Sequence, residues 1–324
     1  MARLRILTWH TPGRYLELLA RTGHEFYLPV KPGHPIGYVG RGGLDLPLRV
    51  IEVPANEVPG LELDVVLSQS RQNWLVDRDL ILSPAQRRLP RIHLEHDPPR
   101  EHPTDARHVV DDPDALLVHV THFNDLMWNA GRTPTRVIEH GIVLPEGVRW
   151  NGKLDRGLVV AHGLGHRGRW TGADLIERAR RRVPLDIVGM GSEAFGGLGE
   201  VPHADLAAFA ADYRFFFHPV RYAGLGLAVC EAMLLGMPIV SLATAEMPTV
   251  VVNGVSGWAG TDVDWLIDRM LDLLADPAQA KRLGDGARAT AERRFAVDRF
   301  TRDWNDAFAQ VSPGRHPPIA VVNS

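Results

Sequence analysis

The sequence predicts an α/β protein of two domains, each a doubly wound parallel sheet covered by helices. Three observations carry that expectation. At 324 residues the chain exceeds what one ordinary core organises. Short apolar runs rich in β-branched residues alternate with stretches of helical spacing, as strand–helix–strand units require. Residues 218–240, HPVRYAGLGLAVCEAMLLGMPIV, read as a strand end, a glycine-bearing turn, a helix and the next strand.

In chain order, residues 4–9 form the first expected strand and 14–21 its helix, joined by the turn His10-Thr-Pro-Gly13. His10 and Gly13 thereby fall on a strand-end loop, where binding residues gather. Residues 25–30 are the second strand. The following KPGHPIGYVGRGG (31–43) is too rich in glycine and proline for a regular element. It lacks the Lys-Ser/Thr ending of a phosphate-binding loop, so a mobile loop is expected. Strands at 50–53, 63–68 and 91–95 follow, the last ending in His96-Asp97-Pro98-Pro99. His93, His96, Asp97, His102 and His108 raise the question of a metal. His93 and His96 are an odd number of positions apart, however, and on a strand would face opposite ways, so no metal site is expected. A strand at 115–120, with Thr121, His122 and Asn124 at its exit, leads to a strand at 136–139 and a turn at Gly141. The polar, turn-rich segment 145–156 is the expected linker, giving domains at 1–150 and 151–296.

The second half repeats the logic. A strand at 158–161 opens into the basic loop HGLGHRGRWTG (162–172), with Arg167 and Arg169, and then helix 173–182. The strand 185–188 ends in Gly189-Met-Gly191, and helix 203–211 follows. Residues 214–218 carry three consecutive Phe, the run of a strand buried on both faces. Gly224 and Gly226, just after Arg221, permit a tight turn and close approach of a ligand. Helix 227–235 stops at Gly236 and Pro238, before a strand at 238–242. Its amino end opens at a strand's carboxyl end, and its unpaired amides and dipole suit phosphate. Glu231 is the one charge on that helix; it either complements the dipole or contacts ligand hydroxyl groups. Amphipathic helices are expected at 262–274 and 278–294. Val297, Phe300, Trp304, Phe308 and Val311 then share one helical face, and the tail from 312 is expected to be loose.

Composition narrows the function. A net charge of −3 argues against a broad nucleic-acid surface. The single cysteine, Cys230, excludes an internal disulfide framework and fits a reducing compartment. No apolar run reaches the length of a membrane span, and His10 interrupts any signal-peptide core after Arg3 and Arg5. A cytoplasmic protein is expected.

The stretch Pro219, Val220, Arg221, Tyr222, Ala223, Gly224, Leu225, Gly226, Leu227, then Glu231, Ala232, Met233, Gly236 and Pro238, resembles the signature of retaining GT-B glycosyltransferases of family four. Residues 245–257, AEMPTVVVNGVSG, resemble that family's G-G-x-P-E-V-V-x-x-G-x-x-G. The resemblance implies two Rossmann-like domains facing an interdomain cleft, with helix 297–311 returning to the first. It implies metal-independent, retaining transfer of a sugar from a nucleotide-sugar donor to an unidentified acceptor, with no cofactor. It further implies that Glu231 orients the ribose, that Gly224, Leu225, Gly226 and Leu227 approach the donor, and that Gly189 and Gly191 lie on the base side. His96 stands where family members carry a sugar-contacting His, and His10 and Gly13 become acceptor-side candidates. Arg167, Arg169 and Arg221 are the cations for the diphosphate, because Leu164 and Thr171 stand where the family has Arg and Lys. Ala223 and Thr249 replace two further family glutamates. Those departures leave open a degenerate relative that binds nucleotide or carbohydrate without transfer, and a nucleotide-sugar epimerase on the same scaffold.

Overall fold

The computed structural model describes residues 3–11 and 13–313. Pro12, in the turn expected after the first strand, and most of the tail lie outside the described residues. The chain divides into two compact units, residues 1–141 with 297–324 and residues 142–296.

Among its described residues the first unit holds a seven-stranded parallel sheet. Its order is Val50–Pro54, Glu25–Val30, Arg5–Thr8, Val65–Ser68, Arg91–Glu95, Ala115–His119, Thr135–Val137. Alternation within the strands supplies a core on each face. Ile6, Leu67 and Leu94 join one apolar cluster, while Leu7 and Val66 join another. Helix Val297–Val311 completes the first of these cores, with Phe300, Trp304 and Phe308 fully buried among Tyr15, Leu16 and Leu19. The Trp304 indole donates to the Tyr15 hydroxyl at 3.0 Å, so its one polar atom is satisfied inside the core.

The second unit holds a five-stranded parallel sheet ordered Leu185–Val188, Leu154–Val160, Tyr213–His218, Ile239–Leu242, Gly257–Gly260. The phenylalanine run divides as a doubly covered strand must: Phe216 enters one core, Phe215 and Phe217 the other. Each such side chain contributes about 1.5–3 kcal/mol by leaving water. No described helix is long and apolar enough to cross a membrane.

The structure alters or adds to the expectations at three places. The division falls at Gly141/Ile142 rather than after 150. The intended linker belongs to the second unit: Ile142 N–H donates to Phe295 O, Trp150 N–H to Leu235 O, and Leu144, Val148 and Trp150 pack on that unit's core. The glycine-rich segment 31–43, expected to be a mobile loop, is tied to its surroundings at several points. Val39 bridges to Val30, the Lys31 ammonium lies 3.6 Å from the Tyr38 ring centroid, and Arg41 N–H donates to Glu52. Finally, Thr121 stands at the strand's exit as expected, with a further role. Its hydroxyl accepts from Asn124 N–H and caps the helix His122–Met127.

Candidate functional site

All strands of the second sheet run parallel, so their carboxyl ends share one edge, and the loops there are tied to each other. Gly163 N–H donates to Met190 O, Met190 N–H to His162 Nδ1, and Arg221 N–H to Trp170 O. The Thr244 hydroxyl donates to Val220 O at 2.8 Å. Gly189, at φ 128°, sits where an added Cβ would lie 2.2 Å from Ala161 O, which makes glycine obligatory in this backbone. Gly191, at φ 75°, opens the 3₁₀ turn Ser192–Phe195.

The three basic candidates are not equivalent. Asp174, in helix Ala173–Arg180, accepts two hydrogen bonds from Arg221, at 2.7 and 2.8 Å, and one from Arg169 at 2.8 Å. Those bonds, Arg221's foremost, hold the Asp174 carboxyl below its usual range. Arg221 also donates to Arg169 O at 2.7 Å. Arg167 is exposed, and its guanidinium has no partner among the described residues. Leu164 and Thr171, at the family's cation positions, are both buried.

Helix Leu227–Leu235 begins at Gly226 with φ −72° and ψ 138°. This is ordinary extended backbone, so Gly226 is not needed for a left-handed turn, contrary to the turn-based expectation. What it leaves is room, since an added Cβ would meet nothing within 4 Å. A hollow before this helix is lined by His218, Val220, Ala223, Gly224, Leu225, Thr244, Ala245 and Glu246. Burial pushes the His218 imidazole down to about 4, so it is neutral at pH 7. Ala245 takes φ 50° where the resembling motif has glycine. Glu246 stands at that motif's second glycine. It is buried, paired with Arg294 at 2.9 Å, and accepts from the Thr249 hydroxyl at 2.5 Å.

Glu231 is the fifth residue of its helix, past the first turn in which the dipole acts. It does not stand alone: Oε1 lies 2.8 Å from His203 Nε2. Leu144, Val160, Leu206, Phe216 and Ala228 line the recess beside it.

In the first unit, the strand ends bring His96 to Gln69 (Nε2 to Oε1, 3.2 Å) and edge-on to Tyr15, with ring centroids 5.1 Å apart. The Gln69 amide donates to the Thr8 hydroxyl and to Trp9 O, so its Oε1 must accept, and His96 carries its proton on Nε2. Burial lowers the His96 pKa. His10 is buried; its Nδ1 lies 2.8 Å from Gly40 O, and its ring lies where a Cβ on Gly42 would stand, at 2.3 Å. Gly13, at φ 113°, has open space about it.

The expectation about metal rested on His93 and His96. The structure instead gathers His93, Glu95 and His108, whose ligand-type atoms lie within 4.8 Å of one another. His93 and Glu95 share a strand face because they are two apart. The hydrogen bonds fix one tautomer. Val110 N–H donates to His108 Nδ1 at 3.0 Å, so neutral His108 carries its proton on Nε2, facing Glu95 Oε2 at 3.1 Å. A metal on Nε2 would need that proton moved to Nδ1, against the Val110 N–H. Burial drives His93 down to about 3. Burial is the largest single influence and works to raise the Glu95 carboxyl, but the His108 hydrogen bond, the charge of His93 and the Asp97 N–H together outweigh it, and Glu95 falls to about 2.

Sequence reasoning missed Asp174, His203, His218 and Glu246. Only Glu246, a carboxylate at a motif glycine, carried a signal that could have been read.

Residues 191–290 match the family model described as glycosyl transferases group 1. The chain is related to the group 1 glycosyl transferases. The matched span of this glycosyl transferase relative covers Gly191, His203, His218, Arg221 and Glu231, and stops short of the basic loop with Arg167 and Arg169. A GDP-mannose-dependent alpha-(1-6)-phosphatidylinositol monomannoside mannosyltransferase of Mycolicibacterium smegmatis is 31% identical over 172 residues, 44% of this chain and 43% of that protein. The chain spans less than half the length of each curated relative it matches. Among solved structures, sucrose-phosphate synthase from Thermosynechococcus elongatus superposes with a TM-score of 0.70 at 15% identity, covering 95% of this chain and 99% of that one. HepE of Anabaena in complex with UDP gives 0.67 at 16% identity, covering 95% and 100%. These likenesses place the two Rossmann-like parallel-sheet domains in a fold of GT-B type.

Proposed function

We propose that the protein is a retaining glycosyltransferase that moves a hexosyl group from a nucleotide-sugar to an acceptor. The observation that carries this reading is Glu231, half-buried on a helix whose amino end opens beside the carboxyl end of Tyr213–His218, inside the stretch that the family model matches. In this reading the leaving diphosphate is stabilised by helix amides and by Arg167, Arg169 and Arg221, positive charge set where negative charge develops. It needs no cofactor. Glu231 accepts from the ribose. The names of the relatives support UDP- and GDP-sugars as the first donors to try.

A panel of nucleoside diphosphates tests the reading by thermal unfolding. A ligand at a hundred times its dissociation constant stabilises by about 2.7 kcal/mol. That is a rise of several degrees at roughly 2–4 °C per kcal/mol. If no diphosphate raises the melting temperature, the donor site does not exist.

The second reading, a binder that transfers nothing, is favoured by Ala223 and by Asp174, which engages two of the three arginines. It predicts the same thermal shift but no nucleoside diphosphate released from UDP-glucose or GDP-mannose over many acceptors.

A further inference from the structure

Glu231 and His203 lie on different helices, Leu227–Leu235 and His203–Ala210, and meet through one hydrogen bond of 2.8 Å. A carboxylate only accepts, so His203 Nε2 donates whether the ring is neutral or charged. Only Oε1 of the carboxylate is used: Oε2 has no hydrogen-bond partner among the described residues. The surroundings offer no substitute, because the recess beside Glu231 is lined by Leu206, Ala207, Ala228 and other apolar side chains. Among the described residues, the His203 hydrogen bond is the one polar contact that holds the Glu231 carboxylate. Its side chain is 17% exposed and that of His203 is 42% exposed, so the pair sits at a surface a ligand can reach.

We propose that His203 is a positioning residue: it fixes the Glu231 carboxylate so that Oε2 is presented to the vicinal hydroxyl groups of a nucleotide's ribose. This rests on the donor reading above. It goes beyond that reading because it makes sugar recognition at the nucleotide depend on a residue 28 positions earlier. His203 touches no ligand itself; it acts by limiting where the carboxylate can point. Binding then does not have to order the glutamate, which is how preorganisation raises affinity.

The readout is discrimination between ribose and its deoxygenated form, which a residue of purely structural importance would not alter. Dissociation constants of UDP and GDP, and of their 2′,3′-dideoxy counterparts, are measured by calorimetry for the full chain. For whichever base binds, wild type should prefer the ribonucleotide by roughly tenfold or more, the scale of a charged hydrogen bond. Glu231→Gln should bring the ratio close to one. His203→Ala should lower it about threefold to tenfold while leaving dideoxy affinity nearly unchanged, and His203→Gln, which still offers an N–H, should restore most of it. His203→Ala combined with Glu231→Gln should be no worse than Glu231→Gln alone. Matching melting temperatures certify that the variants fold. A collapse in Glu231→Gln with no change in His203→Ala overturns the positioning role. An unchanged ratio in both removes the carboxylate from the ribose. If neither UDP nor GDP binds wild type, the donor reading fails first, and this inference falls with it.

Discussion

Asp174 makes unequal predictions for three arginines that the sequence treats alike. Replacing Arg167 with Ala removes a cation that has no partner among the described residues, so its whole interaction with a diphosphate is lost. A charged hydrogen bond is worth roughly 1.5–3 kcal/mol, a tenfold to hundredfold weaker binding. Arg169 is 75% exposed along its side chain and is paired with Asp174, so an Ala there should cost under about 1 kcal/mol, less than fivefold. Arg221 is less exposed, and both terminal nitrogens donate to Asp174, so Arg221→Ala should fall between the two. The assay is calorimetry with a nucleoside and its diphosphate side by side, at two salt concentrations. The ratio of the two constants isolates the phosphate contribution, and raised salt should weaken the diphosphate more. If Arg221→Ala costs more than Arg167→Ala, the diphosphate displaces Asp174 and the pairing seen here opens on binding. If diphosphate and nucleoside weaken equally in every variant, the loop is a basic surface and the assignment is wrong.

Placing the missing carboxylate back by Ala223→Glu, beside His218 and Glu246 in the same hollow, should create a preference among nucleotide-sugars of about tenfold; competition binding that shows no new preference removes the hollow from the sugar. Trp304→Ala should cost about 3–5 kcal/mol, since the indole is fully buried and bonded to Tyr15, and a melting temperature within a degree or two of wild type would refute its place in the core. Acid should weaken the fold above the carboxylate range. His93 and His218 are held at about 3 and about 4, below the usual 6.5, so protons favour the unfolded chain; stability is complete above pH 6.5 and falls toward pH 4. Each histidine adds a slope of about 1.4 kcal/mol per pH unit, whereas Glu95, lowered from 4.5 to about 2, acts only below about pH 4.5. Urea midpoints unchanged between pH 7 and 5 would mean that neither imidazole is buried.

The elements legible in the sequence were those whose burial leaves a pattern along the chain. Strands Arg91–Glu95 and Leu185–Val188 and helices Leu227–Leu235 and Val297–Val311 lie where apolar runs and helical spacing put them. The strand Gly257–Gly260 went unseen because GWAG has no apolar run; it is a strand only through its pairing with Ile239–Leu242. The helical segment Asn73–Ile81 went unseen for the opposite reason: Leu75, Val76 and Leu80 are exposed while Trp74 and Ile81 are buried with Asn73 and Asp77, so its apolar residues mark no single face. The site is less legible still. Glu231 and the arginines could be named from motif position, but their partners could not. His203 meets Glu231, Asp174 meets Arg221, and Gln69 meets His96 through contacts 28, 47 and 27 residues apart. The histidines mislead in the same way: His93 pairs by parity with Glu95, while His108 arrives from beyond the strand.

The last helix bears on the order in which the protein can fold as it is synthesised. Every residue of the second unit has been made once Ala296 is added, so its two cores can close at that point. The first unit began earlier but cannot finish, because one face of its sheet awaits Phe300, Trp304 and Phe308. The nascent chain therefore carries a half-built amino-terminal sheet, with part of an apolar face bare, while the middle of the sequence matures. A chain ended anywhere before 297 would keep that bare face permanently. Such truncations should leave the second unit folded and the first sticky, a pattern that limited proteolysis would read directly.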